Sequence, residues 1–215
     1  MNARLSFGIR RSASSVFFVL LLMVAGEVKG EVNWAFTSEA QDTGAISEVD
    51  IAPGDFPISR EYPAGFVSAV RNANTYLHLS LWSVSKYDLS ILRRSPNNHF
   101  QWGSDVSSPE IVNLDYDRDG WSESIVAVID SRGYVRLMSF ETTPSGVFYL
   151  QDTLFLGQGV DVEIALGGDP GVSPVRADTV WALVQYNDTD CDMFLVRSDL
   201  QGDLSIESHE TGVLD

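Results

Sequence analysis

Asn113-Leu-Asp-Tyr-Asp-Arg-Asp-Gly-Trp-Ser-Glu-Ser124, running directly into Ile125-Val-Ala-Val-Ile129, is the stretch whose reading decides the fold. Asp115, Asp117 and Asp119 alternate, Gly120 follows the third aspartate, and Glu123 closes the set. Hard cations gather several oxygen ligands around one point, and a glycine allows the sharp backbone bend that makes them converge. The apolar run that follows is short, rich in β-branched residues and bounded by Asp130 and Gly133, which reads as a strand. Residues 109–114 read as the strand before it. The stretch is expected to be a hairpin loop that binds Ca²⁺ through Asp115, Asp117, Asp119 and Glu123. The competing reading is an acidic turn that binds nothing, but carboxylates this close repel one another without a cation.

The loop opens like an EF-hand, D-x-D-x-D-G. An EF-hand needs a bidentate Glu at the twelfth position and a helix after the loop, whereas here Val126 occupies that position and a strand follows. The stretch instead resembles the calcium loops of FG-GAP/VCBS repeats, the blades of integrin-α-like β-propellers, whose pattern is D-x-D-x-D-G-x-x-D/E before a strand. Asp115, Asp117, Asp119 and Glu123 match the side-chain ligands of that pattern one by one. The resemblance implies the backbone carbonyl of Trp121 as a further ligand. It covers about twelve residues closely and the remainder of the chain loosely.

Outward from the loop, three segments share one rhythm of short strands. The first comprises runs at 66–70, 75–83, 87–94 and 99–102. The second has runs at 110–114, 124–130, 134–140 and 147–154, and the third at 162–166, 179–186, 192–197 and 203–207. Four antiparallel strands repeated at this spacing predict the blades of a β-propeller, with an open β-sandwich as the alternative. The expected fold is therefore an all-β, propeller-like array of four-stranded blades over 66–215, at about 66–105, 106–158 and 159–210. Residues 31–65 supply N-terminal strands and part of another blade. Three to four blades is at or below the usual four to eight. The expectation is a truncated propeller; association through open blade edges and an unusually small ring are the other options.

Residues 95–102, Ser-Pro-Asn-Asn-His-Phe-Gln-Trp, have the spacing of the Asp-box S-x-D-x-G-x-T-W of BNR-type and sialidase-like propellers, with only Ser95 and Trp102 matching outright. Residues 197–202 form a weaker version around Ser198 and Gly202. In that family the box is a structural turn, so the resemblance supports the propeller without implying activity.

Residues 1–30 read as a secretory signal peptide. Arg4, Arg10 and Arg11 precede an unbroken apolar run of ten, 16–25, and small residues follow with candidate cleavage sites at 24–26 and 28–30. That run is too short to span a bilayer, which takes about 20 apolar residues. The chain carries a formal net charge of −16, and loss of the three signal arginines takes it to −19. Such acidity disfavours nucleic acid and anionic membranes as partners. It suits a protein that is secreted or held at the cell surface, with the periplasm as the other compartment. Cys191 is the single cysteine, so no intrachain disulfide can form.

Enzymatic groups are scarce. His78, His99 and His209 are far apart and not in zinc-type spacing, and no G-x-S-x-G occurs. Asp188, Asp190 and Asp192 form a second acidic triplet, without a glycine or a late acid, and read as a solvated hairpin tip. Arg93, Arg94, Arg136 and Arg197 fall on expected third strands, similar to the arginine cluster of sialidases, which makes a sialidase-like glycoside hydrolase the alternative function. The favoured expectation is a non-catalytic, Ca²⁺-stabilised extracellular binding or adhesion module whose ligand is a protein or a carbohydrate.

Overall fold

The computed structural model describes residues 46–56, 59–62, 64–72, 76–88, 90–95, 101–103, 105–167 and 178–212. The signal-peptide reading of 1–30, the part of the expected N-terminal strands before residue 46 and the middle of the Asp-box at 96–100 lie outside these residues. Every regular element among the described residues is a strand. They are β1 (Ile46–Gly54), β2 (Ala64–Asn72), β3 (Leu77–Val84), β4 (Ile91–Arg93), β5 (Gln101–Trp102), β6 (Ser107–Leu114), β7 (Glu123–Ile129), β8 (Tyr134–Thr142), β9 (Phe148–Gln158), β10 (Asp161–Leu166), β11 (Thr179–Gln185), β12 (Cys191–Ser198) and β13 (Leu204–Thr211).

They form three antiparallel meanders, β1-β2-β3-β4, β6-β7-β8-β9 and β10-β11-β12-β13, with β5 also pairing β3. No sheet among the described residues closes on itself. The all-β expectation holds, and the second and third sheets follow the predicted strand order. The first does not: residues 66–70, expected to open that sheet, lie on its second strand, and β1 precedes them. Trp82 accordingly lies on a third strand, whereas Trp181 is on a second. Arg93 belongs to the short fourth strand, while Arg136 and Arg197 occupy third strands as expected. The fourth position is split, with β4 along one part of β3 (Trp82 opposite Arg93) and β5 along another (Leu77 opposite Trp102).

The middle sheet faces two cores. Side chains of a strand alternate between its faces. On β7, Ile125, Ala127 and Ile129 join a cluster with Val162, Ile164, Val180 and Val184 of the third sheet. Val126 and Val128 point the other way, into a cluster with Val67, Leu79 and Leu81 of the first sheet. On β8, Val135 and Leu137 serve the former core, Met138 and Phe140 the latter. This explains why 125–129 is continuously apolar: a strand covered on both faces has no solvent side to mark with polar residues.

The first strand of the middle sheet lies beside the first strands of both neighbours. Its outward N–H groups are met by carboxylates of β1: Ser108 N donates to Glu48 Oε2 (2.7 Å) and Ile111 N to Asp50 Oδ2 (2.8 Å). On its other side, Ser108 Oγ donates to Asp161 Oδ1 of β10 (2.8 Å). Pro109 fits here because β6 is an edge strand, bulged between Ser107 and Glu110, where a missing N–H costs no ladder bond.

Candidate metal centre

The β6–β7 connection starts after the pair Leu114–Glu123 and gathers the four predicted acids. One carboxylate oxygen from each of Asp115, Asp117, Asp119 and Glu123 lies within 4.8 Å of the others. Among the described residues this is the sole group of three or more His, Cys, Asp or Glu side chains so placed, and it can hold a metal ion.

Local backbone bonds build the cradle. Asp117 Oδ1 accepts from Asp119 N (3.0 Å) and Asp119 Oδ1 from Trp121 N (2.7 Å), two successive Asx turns. Asp115 Oδ2 accepts from Gly120 N (3.1 Å) across the loop. Two left-handed residues make this possible, Arg118 at φ 64° and Gly120 at φ 86°. Only the second is free of the steric cost that a side chain brings there. The carboxylates of the odd-numbered acids converge on one point while Tyr116 between them is buried in the core shared with the third sheet.

Glu123 is the hinge of the arrangement. It is the first residue of β7, only 2% exposed, and its Oε2 accepts from Tyr116 N (2.9 Å). Burial, followed by repulsion from Asp117, Asp115 and Asp119, pushes its carboxyl up to about 8, with the Tyr116 N–H opposing the rise. Burial, reinforced by Glu123, likewise holds the Tyr116 phenol well above its ordinary value. Asp115 Oδ1 is a buried oxygen with no hydrogen-bond partner. Among the described residues no Lys or Arg forms an ion pair with any of the four acids. A cation is the chemistry that would relieve all of these strains together.

The loop is tied to the first sheet by residues outside the acid pattern. Ser122 N donates to Asp55 O (2.8 Å) and Asp55 N to Ser122 Oγ (2.8 Å). Trp121 packs edge-on against Phe56, ring centroids 5.6 Å apart at 75°. Asn113 Nδ2 donates to Ala52 O (2.7 Å) and its Oδ1 accepts from Ser124 Oγ (2.8 Å). A cavity of about 200 Å³ lies beside the acids, with Asp117, Asp119, Trp121 and Glu123 on one wall and residues 141–144 on the other. The roles of Asp55, Phe56 and Ser122 carry no motif that a sequence reading can find.

The other sequence candidates are absorbed locally. At the 187–192 turn, Asn187 Oδ1 accepts from Thr189 N and Asp190 N, and Asp190 Oδ2 accepts from Asn187 Nδ2. Asp192 Oδ2 accepts from Tyr186 Oη (3.0 Å) and meets His209 Nε2 (2.7 Å). Cys191 is buried at the start of β12. The four arginines are engaged separately: Arg93 over Trp82, Arg94 over Tyr62, Arg197 with Glu207, and Arg136 between Trp102 and Phe155 while paired to Asp130 (2.6 Å). Ser95 Oγ, the first residue of the expected Asp-box, accepts from Leu81 N (2.8 Å). In the weaker box, Asp199 Oδ1 accepts from Gln201 N and Asp203 N, and Gly202 takes φ 86°.

No protein-family model matches this chain, and no curated protein matches it. The family resemblance therefore rests on the residues of the loop and the strand rhythm alone.

Proposed function

We propose that this chain is an exported, Ca²⁺-stabilised, propeller-like module that binds an extracellular protein or carbohydrate without catalysing a reaction. The observation that carries this reading is the convergence of four carboxylates with no Lys or Arg among the described residues to neutralise them. The ligand set is all oxygen and is built on a loop that bends at Gly120, which suits Ca²⁺ better than the smaller, octahedral Mg²⁺. The Trp121 carbonyl is the further ligand implied by the FG-GAP/VCBS pattern. In this reading the three meanders are successive blades, joined through their first strands, and the ion fixes the loop that ties the middle blade to the first. Binding to the folded chain alone adds to its stability.

Export rests on the pattern of residues 1–30, and the net charge of −16 disfavours nucleic acid and anionic membrane as partners. Among the described residues no helix is long and apolar enough to cross a membrane. The arginines that suggested a sialidase-like hydrolase are each occupied by stacking or ion pairing, which favours the binding module over the enzyme. Thermal melting in EGTA and in millimolar CaCl₂ or MgCl₂ tests the reading. A Ca²⁺-selective rise in Tm is expected; equal Tm in all three would refute the metal centre.

A further inference from the structure

We infer that the cleft between the acidic loop and the end of β8 is a saccharide site, in which adjacent hydroxyls of a neutral sugar complete the coordination of the loop's cation. The inference rests on the metal reading above and extends it by naming the ligand class.

Two residues, one on each wall of the cleft, carry a polar atom that no protein group satisfies. Thr142 is 3% exposed, yet its Oγ1 has no hydrogen-bond partner. Trp121, on the facing wall, also has a buried and unpartnered Nε1. Buried donors and acceptors are nearly always satisfied, and leaving one unmade is costly. Two of them around the cavity that receives Asp117, Asp119 and Glu123 mark a place built for a group that both donates and accepts. The edge-on contact of Trp121 with Phe56 restrains the indole before any ligand arrives.

Charge selects the class. Four carboxylates around a divalent ion leave the site negative, and Glu141 on the opposite wall adds to it. A phosphate, sulfate or carboxylate would be repelled. A hydroxyl coordinates a hard cation through oxygen without adding charge. It can also accept from the indole N–H and exchange a hydrogen bond with the threonine hydroxyl. The cavity, about 200 Å³, is below the roughly 300–1,000 Å³ of sites for drug-sized ligands, so it admits one sugar ring or its edge rather than a longer chain.

Saturation-transfer NMR on the full-length chain provides the test, with methyl glycosides of neutral hexoses and pentoses, and N-acetylneuraminic acid as the charged control. At least one neutral glycoside is expected to bind in the millimolar range with Ca²⁺ and not with EGTA, and the acidic sugar is expected not to bind. Thr142→Val removes an unpartnered hydroxyl while keeping its shape, so the variant should fold. It should weaken sugar binding about fivefold to tenfold while keeping the Ca²⁺-dependent rise in Tm. If Ca²⁺ raises Tm but no neutral glycoside binds, the saccharide site is refuted and the metal centre stands. If Ca²⁺ leaves Tm unchanged, the metal centre fails and the saccharide site with it. Undiminished binding by Thr142→Val, binding that survives EGTA, or equal binding of the acidic sugar each overturns the inference.

Discussion

Ser122 and Asp55 exchange two hydrogen bonds of 2.8 Å, Ser122 N to Asp55 O and Asp55 N to Ser122 Oγ, and so clip the acidic loop of the middle sheet to the end of β1 in the first. Ser122 is buried. Ser122→Ala keeps the backbone bond but leaves the Asp55 N–H without its acceptor. The expected loss is about 1–2 kcal/mol, read as a lower midpoint in urea with an unchanged m-value. Ser122→Thr, which keeps the hydroxyl, should recover part of it. A variant as stable as the parent would show that the clip contributes nothing.

Asp117→Asn separates the two roles of the loop charges. It removes one ligand charge and part of the repulsion around Glu123. In EGTA the variant is expected to melt at or slightly above the parent temperature, because like charges have been thinned. In CaCl₂ it is expected to lose most of the parent's rise in Tm. The crossing of these two effects is what a metal ligand produces. An exposed acid with no such role would leave both temperatures nearly unchanged.

The loop and the two strands around it were legible because their determinants are local: alternating acids, one glycine and a five-residue apolar run. The same locality fails in the first sheet. Residues 66–70 and 77–84 are both apolar runs, and nothing in either states whether it is the first, second or third strand. The true first strand, ISEVDIAPG, looks polar because Glu48 and Asp50 are spent on N–H groups of β6 some 60 residues away. Asp55 and Phe56 are illegible for the same reason, since each acquires its part only when two distant segments meet. Arg136 shows the converse: a residue placed on the correct strand whose partners, Trp102, Phe155 and Asp130, make it a packing element.

Proton release should accompany cation binding. Without the ion, burial and the neighbouring aspartates raise Glu123 from its ordinary 4.5 to about 8. A carboxyl raised on folding contributes stability that is fully present below pH 4.5 and is lost as pH climbs through about 8. The metal-free protein should therefore become less stable across that window, and Glu123→Gln should flatten the dependence. At pH 7 a cation that requires the carboxylate displaces about one proton, and at pH 9 very few. Calorimetry in two buffers of different ionisation enthalpy measures the number directly. A value near zero at pH 7 would place Glu123 outside the coordination sphere.

If the middle sheet feeds two cores, a cavity on either face should weaken the same cooperative unit. Ile125→Ala opens space toward the third sheet and Met138→Ala toward the first, and both side chains are fully buried. Each is expected to cost about 2–5 kcal/mol. Both should lower a single unfolding transition. Two separated transitions, with one variant moving only one of them, would mean that the sheets unfold independently.

Gly202 tests how the loop is held from the side facing the third sheet. A Cβ there would lie 2.7 Å from the Tyr116 hydroxyl and 3.0 Å from Gln151 Cβ, on a backbone at φ 86°. Gly202→Ala should therefore destabilise through a left-handed conformation costing about 1–3 kcal/mol, a tight approach to Gln151 and a clash with Tyr116. Tyr116→Phe removes only the last. In a double-mutant cycle the alanine should cost less in the phenylalanine background, by an amount above the 0.3–0.5 kcal/mol or so expected of independent sites. Tyr116 also donates its backbone N–H to Glu123, so the clash should lower Ca²⁺ affinity in the single variant and much less in the double. Full additivity in stability, with affinity unchanged throughout, would mean that the Tyr116 ring does not carry strain from the β12–β13 turn into the acid cluster.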